Sequence, residues 1–581
     1  MDKAMAASIL DDVGDLMELQ GGNPFEARAY HNAARTIGAL DDDLDELVAS
    51  GRIAEVPGLG KTLLQRVREL ATTGQMAWHQ ELLTKTPPGL RQMLRIPGLG
   101  PKRIRQIHEV LGIDTLEGLR TAATEGQIAS LPGFGAKSQE NILKGLDFLQ
   151  QHQDHYLYSV AEDEATPVAE ALRALPQVVR LSIAGSLRRH KEIVKDVDMV
   201  ASVARLEDRT AVMDALVGLP QVISVTGKGE TKSSVILRPG IALDLRVVTD
   251  DAFPSTLHHF SGSREHNIAL RGRAQTMGIK INEYGLFRGD ERIPVGDEHD
   301  FYRALGLHYV EPEMREDRGE IELAEKGELP ALVTEADLRG ILHVHSTWSD
   351  GQVSIREMAE ATIALGKSYL GICDHSKSAA YAGGLSESAV RQQHDEIDQL
   401  NEEYAGRIYI LKGTECDILK DGALDYDDAT LARFEFVVVS IHSQFQLPPE
   451  AQTRRLIRAL ENPYTSILGH PTGRLLLQRD GYAPDLDAVI DRAGELGVAI
   501  EINADPLRLD LDWRHLRRAV ERGVQIPINP DAHVPSSLCY LRYGVGIARK
   551  GGLTPADVLN TRSIEDLRTF FAEQRRRKGA K

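Results

Sequence analysis

Between Gly340 and His533 the chain alternates short apolar runs of strand length with longer stretches of helix length, and six of the seven runs end in a histidine, aspartate or glutamate. Gly340-Ile-Leu-His343-Val-His345 opens the series with Asp350 close behind, followed by Tyr369-Leu-Gly-Ile-Cys-Asp-His375 and Ile408-Tyr-Ile-Leu-Lys-Gly-Thr-Glu415. Phe436-Val-Val-Val-Ser-Ile-His442, Ser466-Ile-Leu-Gly-His470 and Gln525-Ile-Pro-Ile-Asn-Pro-Asp531-Ala-His533 complete it. Only Gly497-Val-Ala-Ile-Glu-Ile-Asn503 lacks an obvious ligand at its end. Successive β/α units close into a barrel whose C-terminal strand ends collect the reactive side chains. The nine candidate ligands are six His, two Asp and one Glu, with no Cys. Imidazole mixed with carboxylate suits Zn, Mn or Fe, and a shared carboxylate can bridge several ions. The chemistry implied is metal-assisted hydrolysis, most naturally of a phosphate ester.

A single histidine at a strand end is more often a satisfied core or surface group, and 19 histidines in 581 residues are unremarkable. Six ends of seven, opened by His-x-His and closed by Asp-x-His, outweigh that reading. The stretches His343-Val-His345-Ser-Thr-Trp-Ser-Asp350, Cys373-Asp-His375, Gly413-Thr-Glu415, His442, Gly469-His470-Pro and Asp531-Ala-His533 resemble the successive motifs of the PHP (polymerase and histidinol phosphatase) domain. That resemblance implies a distorted (β/α)7 barrel over roughly 335–570, with Mn2+ and/or Zn2+ held by His343, His345, Asp350, His375, Glu415, His442, His470, Asp531 and His533.

A formal charge of −18 argues against a basic coat over the whole molecule, but residues 51–110 hold ten Lys/Arg against four Asp/Glu, and local patches decide binding. Three cysteines fit a reducing cytosol with no disulfide framework. No apolar run approaches the ~20 residues that cross a membrane, and the N-terminus has no signal-peptide core. The expectation is a cytoplasmic, monomeric protein of three or more domains.

The first 150 residues carry helical periodicity with a repeated interruption. Val56-Pro-Gly58-Leu-Gly60-Lys61 recurs as Ile96-Pro-Gly98-Leu-Gly100-Pro-Lys102 and as Leu131-Pro-Gly133-Phe-Gly135-Ala-Lys137. The glycines allow a tight turn and close approach, the next helix then starts with free N–H groups, and a lysine adds charge, which suits a phosphate. No base edge is read, so binding is expected to be independent of sequence and sensitive to salt. One copy is an ordinary helix-turn-helix connection; three copies, 40 and 35 residues apart, resemble the helix-hairpin-helix motif of repair proteins.

From 178 to 250 the pattern turns to short β-rich runs. Val179-Arg-Leu-Ser-Ile-Ala-Gly185-Ser186-Leu-Arg-Arg189 is followed by Asp196-Val-Asp198, and Leu243-Asp244-Leu supplies a third carboxylate. Alternation on a strand puts Asp196 and Asp198 on one face. On the pair alone a solvated strand edge is the better reading; three convergent aspartates beside a Gly-Ser turn and an arginine make a two-metal phosphoryl-transfer site. The combination resembles the nucleotidyltransferase fold of family X DNA polymerases. By that resemblance Asp196, Asp198 and Asp244 form the catalytic, Mg2+- or Mn2+-binding set, and Asp244 orients or deprotonates the primer hydroxyl. Gly185, Ser186, Arg189, Phe260, Gly262, Ser263 and Asn267 would meet the incoming dNTP, and Arg271 the templating strand.

Three positions depart from the animal repair enzyme of that family. Arg66 stands where a lysine forms a Schiff base with an abasic sugar, and a guanidinium cannot serve as that amine nucleophile. Lys195 stands where a glycine usually precedes the aspartate pair, and His259 replaces a tyrosine.

The whole arrangement resembles bacterial and archaeal family X polymerases with a C-terminal PHP domain. The expected layout is multidomain: a helical DNA-binding region over 1–85, further hairpins in a fingers-like region over 86–150, an α+β palm over 151–250 and a thumb over 251–315. An acidic linker over 316–335, the PHP domain over 336–570 and a basic tail over 571–581 complete it. The resemblance implies a DNA-directed DNA polymerase filling short gaps in base-excision repair on gapped or primer-template DNA. It also implies a 3′-5′ exonuclease in the PHP domain, with AP-endonuclease activity as an extension. A small-molecule phosphatase, a polymerase with a purely structural barrel and a catalytically silent DNA-end scaffold remain as alternatives.

Overall fold

A computed structural model describes residues 3–38, 40, 44–152 and 154–579. The contacts divide the chain into two compact units, 1–153 and 154–581.

The first unit is all helical. In each of the three repeats the first glycine takes a left-handed conformation, φ 83° at Gly58, 76° at Gly98 and 78° at Gly133, which a side chain disfavours. The second glycine caps the following helix: Gly60 before Lys61–Thr73, Gly100 before Pro101–Leu111 and Gly135 before Ala136–Gln151. A Cβ at Gly60, Gly100 or Gly135 would meet nothing within 4 Å. These glycines therefore leave each helix start open instead of filling a packing gap. No side chain caps those helix starts, so their N–H groups stay available to an outside anion. Behind the turns, Leu10, Val13, Leu16, Ile37, Val67 and Leu70 form a closed core.

In the second unit, Val178–Ile183, Asp196–Val203, Ala242–Thr249, Lys232–Leu237 and Val222–Lys228 line up in that spatial order as a five-stranded mixed sheet. The central pair is parallel and places Asp198 directly opposite Asp244. Val197 and Met199 point the other way into the core, as the pleat requires. Helices Phe253–Ser261 and Arg264–Thr276, a three-stranded sheet and Glu298–Ala304 follow, packed around Leu270, Leu286, Phe301 and Tyr302.

From Gly340 on, the strands are short, parallel and mostly buried, as expected where helices cover the sheet outside. Gly340–Val344, Tyr369–Ile372 and Tyr409–Lys412 pair in order. Glu415–Asp417, Val438–Ser440, Ile467–Leu468 and Ala499–Ile500 continue the series, and Ile502–Asn503 pairs with Ile528–Asn529. Bridges His375–Glu415 and Val344–Ala532 join the segments and return the last strand to the first.

The stretch expected to be an acidic linker is packed. Its composition predicts solvated chain, yet Glu320 is buried and Glu316 is 9% exposed at its side chain. Lys550 meets Glu316 at 2.5 Å and the His266 ring faces Glu320 at 2.6 Å; just ahead of this stretch Arg549 meets the buried Glu313 at 2.6 Å. The basic tail is likewise the end of a docked helix, Ile564–Arg577, with Phe571 buried and Arg575 donating to the Phe434 carbonyl. Ala580 and Lys581 lie outside the described residues. Among the described residues no helix is long and apolar enough to cross a membrane.

Candidate active sites

All nine strand-end residues meet at one mouth of the parallel ring. The strand carrying the first two is irregular: its register shifts between Ile341 and Val344, and His343 sits at φ 57°. Asp531 at the opposite edge has φ 52°. Such conformations cost about 1–3 kcal/mol each and persist where the surroundings hold them, characteristically at reactive sites.

Glu415 is the centre. Its Oε1 lies 2.9 Å from His470 Nε2, 3.3 Å from His442 Nε2 and 3.4 Å from His343 Nε2. Its Oε2 is 3.0 Å from His375 Nδ1 and 3.8 Å from His345 Nε2. Asp531 Oδ1 faces His345 Nε2 at 3.1 Å and His343 Nε2 at 3.6 Å, while Asp350 Oδ1 faces His533 Nε2 at 3.3 Å and His375 Nε2 at 3.6 Å. Three overlapping groups have donor spacing suited to a cation: His345, Asp350, His375 and His533; His343, His345 and Glu415; His375, Glu415 and His442.

These residues fit divalent ions. Buried ring nitrogens, His343 Nε2, His345 Nδ1 and His470 Nδ1, have no hydrogen-bond partner among the described residues. The charges also ask for a cation: although burial opposes it, Glu415 and Asp417 push His442 up to about 10, and Asp350 with Asp531 pushes His533 up to about 9. At His442 and His533 a proton thus takes the place of a cation, and metal uptake there would release it. Burial pushes the Cys373 thiol up, and the Cys416 thiol up to about 12, which fits a ligand set without thiolate.

Sequence reasoning missed the carboxylates that hold this set. Glu501, in the one strand that seemed to lack a ligand, is fully buried and accepts from His343 Nδ1 at 2.7 Å, Asn529 Nδ2 at 2.7 Å and the His470 amide at 3.1 Å. It fixes the His343 ring so that Nε2 turns inward. Asp417 does the same for His442 Nδ1 at 2.6 Å. Asp374 gathers the Ser346 amide and hydroxyl, the Ser349 hydroxyl and Gln393, pinning the turn that carries Asp350. A buried acid beside apolar neighbours in a parallel strand was the available signal for Glu501. Glu501→Gln is expected to weaken divalent-metal binding or the associated hydrolysis by roughly 10–100-fold, which metal titration with the rate of 3′-end shortening would measure.

The palm carries a second acidic site. Asp196, Asp198 and Asp244 converge on the central strand pair. Burial, then Asp196 and Asp244, push the Asp198 carboxyl up to about 6, and burial and Asp244 raise Asp196. Like charges held this close are a place for cations. Ser234 Oγ and Lys232 Nζ, each 2.6 Å away, now occupy the Asp244 oxygens. Gly185 has φ 64°, and a Cβ there would stand 2.3 Å from Asp198 Oδ2; only glycine lets this turn reach the carboxylates.

The remaining nucleotide-site candidates are spread unevenly. Ser263 caps helix Arg264–Thr276, Asn267 donates to the His259 carbonyl at 2.8 Å, and the Arg246 guanidinium lies 4.0 Å over the Phe260 ring. Gly262 is closed in by Asn267, whose Oδ1 a Cβ would meet at 2.7 Å, while Arg271 is exposed. Arg189 is not free: its Nε binds Glu316 at 3.0 Å and its Nη1 the Ser261 carbonyl at 2.6 Å.

The helix-hairpin-helix domain family matches residues 1–76, the tandem helix-hairpin-helix family 90–147, the DNA polymerase beta thumb family 256–316 and the PHP domain family 342–505. The DNA polymerase/3′-5′ exonuclease PolX of Bacillus subtilis is 39% identical over 579 residues, covering 98% of this chain and 99% of that one. The chain belongs to the PolX family. Its PHP segment is also similar to a probable phosphatase of Thermoanaerobacter sp., 29% identical over 30% of this chain and 71% of that protein. A probable phosphatase of Syntrophotalea carbinolica is 25% identical over 40% of this chain and 94% of its own length.

In this PolX chain the helix after the first hairpin carries Arg66 in place of the Schiff-base lysine. Arg66 is held between the Tyr30 and Trp78 rings, 5.5 and 4.9 Å from their centroids. Lys61, Lys102 and Lys137 begin the three hairpin helices, and Lys137 is 62% exposed.

Proposed function

We propose that this protein fills short gaps in DNA and trims 3′ ends, serving base-excision repair as a cytoplasmic monomer. The observation that carries the reading is one chain with two separate carboxylate-centred sites, each with its own strand architecture. Divalent cations supply charge neutralisation and a water activated near neutral pH; Mg2+ or Mn2+ suits the all-carboxylate palm, Mn2+ and/or Zn2+ the imidazole-rich PHP mouth.

In the palm, Asp196 and Asp198 would hold the cations, and Asp244 takes the proton of the primer 3′-hydroxyl once Lys232 yields. The new bond joins that oxygen to the α-phosphorus, and pyrophosphate leaves. Ser186 and the Gly185 turn face the triphosphate with Arg189 held behind them by Glu316, Phe260, Gly262, Ser263 and Asn267 face the nucleoside, and Arg271 the template. The helix starts at Gly60, Gly100 and Gly135, with Lys61, Lys102 and Lys137, grip phosphates on the DNA backbone. In the PHP mouth the nine-residue set would hold the ions, and water attacks the terminal phosphodiester, breaking its bond to the preceding 3′ oxygen and releasing the last nucleotide. Cleavage at abasic sites is a further reaction of this mouth.

A 5′-labelled primer on one-nucleotide-gapped DNA with Mn2+ tests this directly. Extension with dNTPs and shortening without them is the expected pair of lanes. Extension without shortening would send the PHP site to phosphatase substrates, in line with its phosphatase relatives.

A further inference from the structure

The palm turn that bears Gly185, Ser186 and Arg189 does not end at solvent. It is docked on the PHP segment. The His190 ring fills a notch over Gly546, where a Cβ would lie 2.2 Å from His190 Nδ1. Lys550 Nζ, buried, donates to the Arg189 carbonyl at 3.0 Å, and Glu192, buried, faces Arg514 at 3.2 Å and Arg474 at 3.8 Å. Along this junction runs a cavity of about 430 Å3 lined by Ser186, Arg189, Lys191, Lys195, Asp196 and, from the PHP segment, Arg514.

The cations of that cavity are unequally available. Arg189 is 10% exposed and committed to Glu316 and the Ser261 carbonyl, and its neighbour Arg188 to Ser261 Oγ and Glu298. Arg514, on helix Trp513–Glu521, is 47% exposed at its side chain. Its contacts with Glu192 and Asp512 all run through Nη1, so Nε and Nη2 remain for a ligand. Lys195 is exposed on the cavity rim next to Asp196. A triphosphate entering beside Ser186 brings several negative charges, and a guanidinium anchored at one nitrogen with its other edge open is suited to bind two phosphate oxygens at once.

We propose that Arg514 of the PHP segment completes the polymerase nucleotide site, binding the β- and γ-phosphates of the incoming dNTP and the pyrophosphate that leaves. The inference rests on the reading that the palm turn at Ser186 faces the triphosphate. It makes the nuclease domain a structural part of the polymerase: Glu192 and Lys550 are among the contacts that hold the palm turn and the PHP segment together at the cavity.

The test is the equilibrium affinity of the full-length chain for dNTP on gapped DNA ending in a dideoxynucleotide, with inorganic pyrophosphate as competitor. Arg514→Ala is expected to weaken both dNTP and pyrophosphate by about tenfold or more, Arg514→Lys by less, while DNA affinity, melting temperature and 3′-end shortening stay within twofold of the parent. Unchanged dNTP and pyrophosphate affinities in Arg514→Ala overturn the proposal. So does a loss that moves DNA affinity, melting temperature and shortening together, because that is the mark of a purely structural arginine. Ser186→Ala separates the two levels. If it weakens dNTP and Arg514→Ala does not, only the role of Arg514 falls; if neither does, the palm reading falls with it.

Discussion

Asp198→Ala is expected to reduce gap filling by roughly 10³-fold and to leave 3′-end shortening at the parental rate. Cation-mediated charge stabilisation is worth several kcal/mol, at about 1.4 kcal/mol per tenfold. Asp198 is the best placed of the three palm carboxylates to lose it, standing opposite Asp244 and beneath the Gly185 turn. A second readout follows from its ionisation. With the carboxyl raised from 3.8 to about 6 in the fold, the folded state holds the proton more tightly than the unfolded chain. The stability penalty is therefore absent below about pH 3.8, grows as pH rises through 6 and is complete at neutral pH. Asp198→Asn should consequently raise the melting temperature at pH 7.5 in chelator, by a stabilisation of about 2 kcal/mol. Mg2+ should stabilise the parent and not the variant. A variant that loses extension but melts lower would mean that Asp198 supports the sheet and not a cation.

The sequence made the ligand sets legible because residue type and position coincide there. Histidines and acids at the ends of six of the seven buried parallel strands face the mouth of the ring, so the convergence of His343 through His533 follows from strand order alone. What supports them could not. Glu501 sits inside an apolar strand, and its partners His343 and Asn529 are 158 and 28 residues away. The engagement of Arg189 was equally hidden, since Glu316 lies 127 residues on and Lys550 361 residues on. Composition misled for the segment around 316–335 for the same reason: an acidic run reads as solvated until the group that meets Glu316, Lys550, arrives from the far end of the chain. Local pattern reports which groups a strand presents; long-range ion pairing decides which of them remain free.

Glu415→Ala should abolish 3′-end shortening, again by roughly 10³-fold, and leave gap filling intact. Five histidines approach this one carboxylate within 3.8 Å, and two of the three cation-sized groups include it. Its removal therefore dismantles more of the mouth than loss of any single imidazole, and a partial metal complement would not restore the geometry. Removing a carboxylate at the centre of these rings also removes the charge that keeps His442 protonated in the absence of ions. Metal stoichiometry measured alongside the rate decides the interpretation. Loss of bound Mn2+ or Zn2+ together with shortening is the expected result. Full metal content with no shortening would make Glu415 a group acting on the substrate, and retained shortening would remove the PHP mouth from the exonuclease reaction altogether. Because Glu415 contacts no palm residue among these partners, a simultaneous loss of gap filling would instead mean that the two sites share one structural fate, contrary to the separate strand frameworks that carry them.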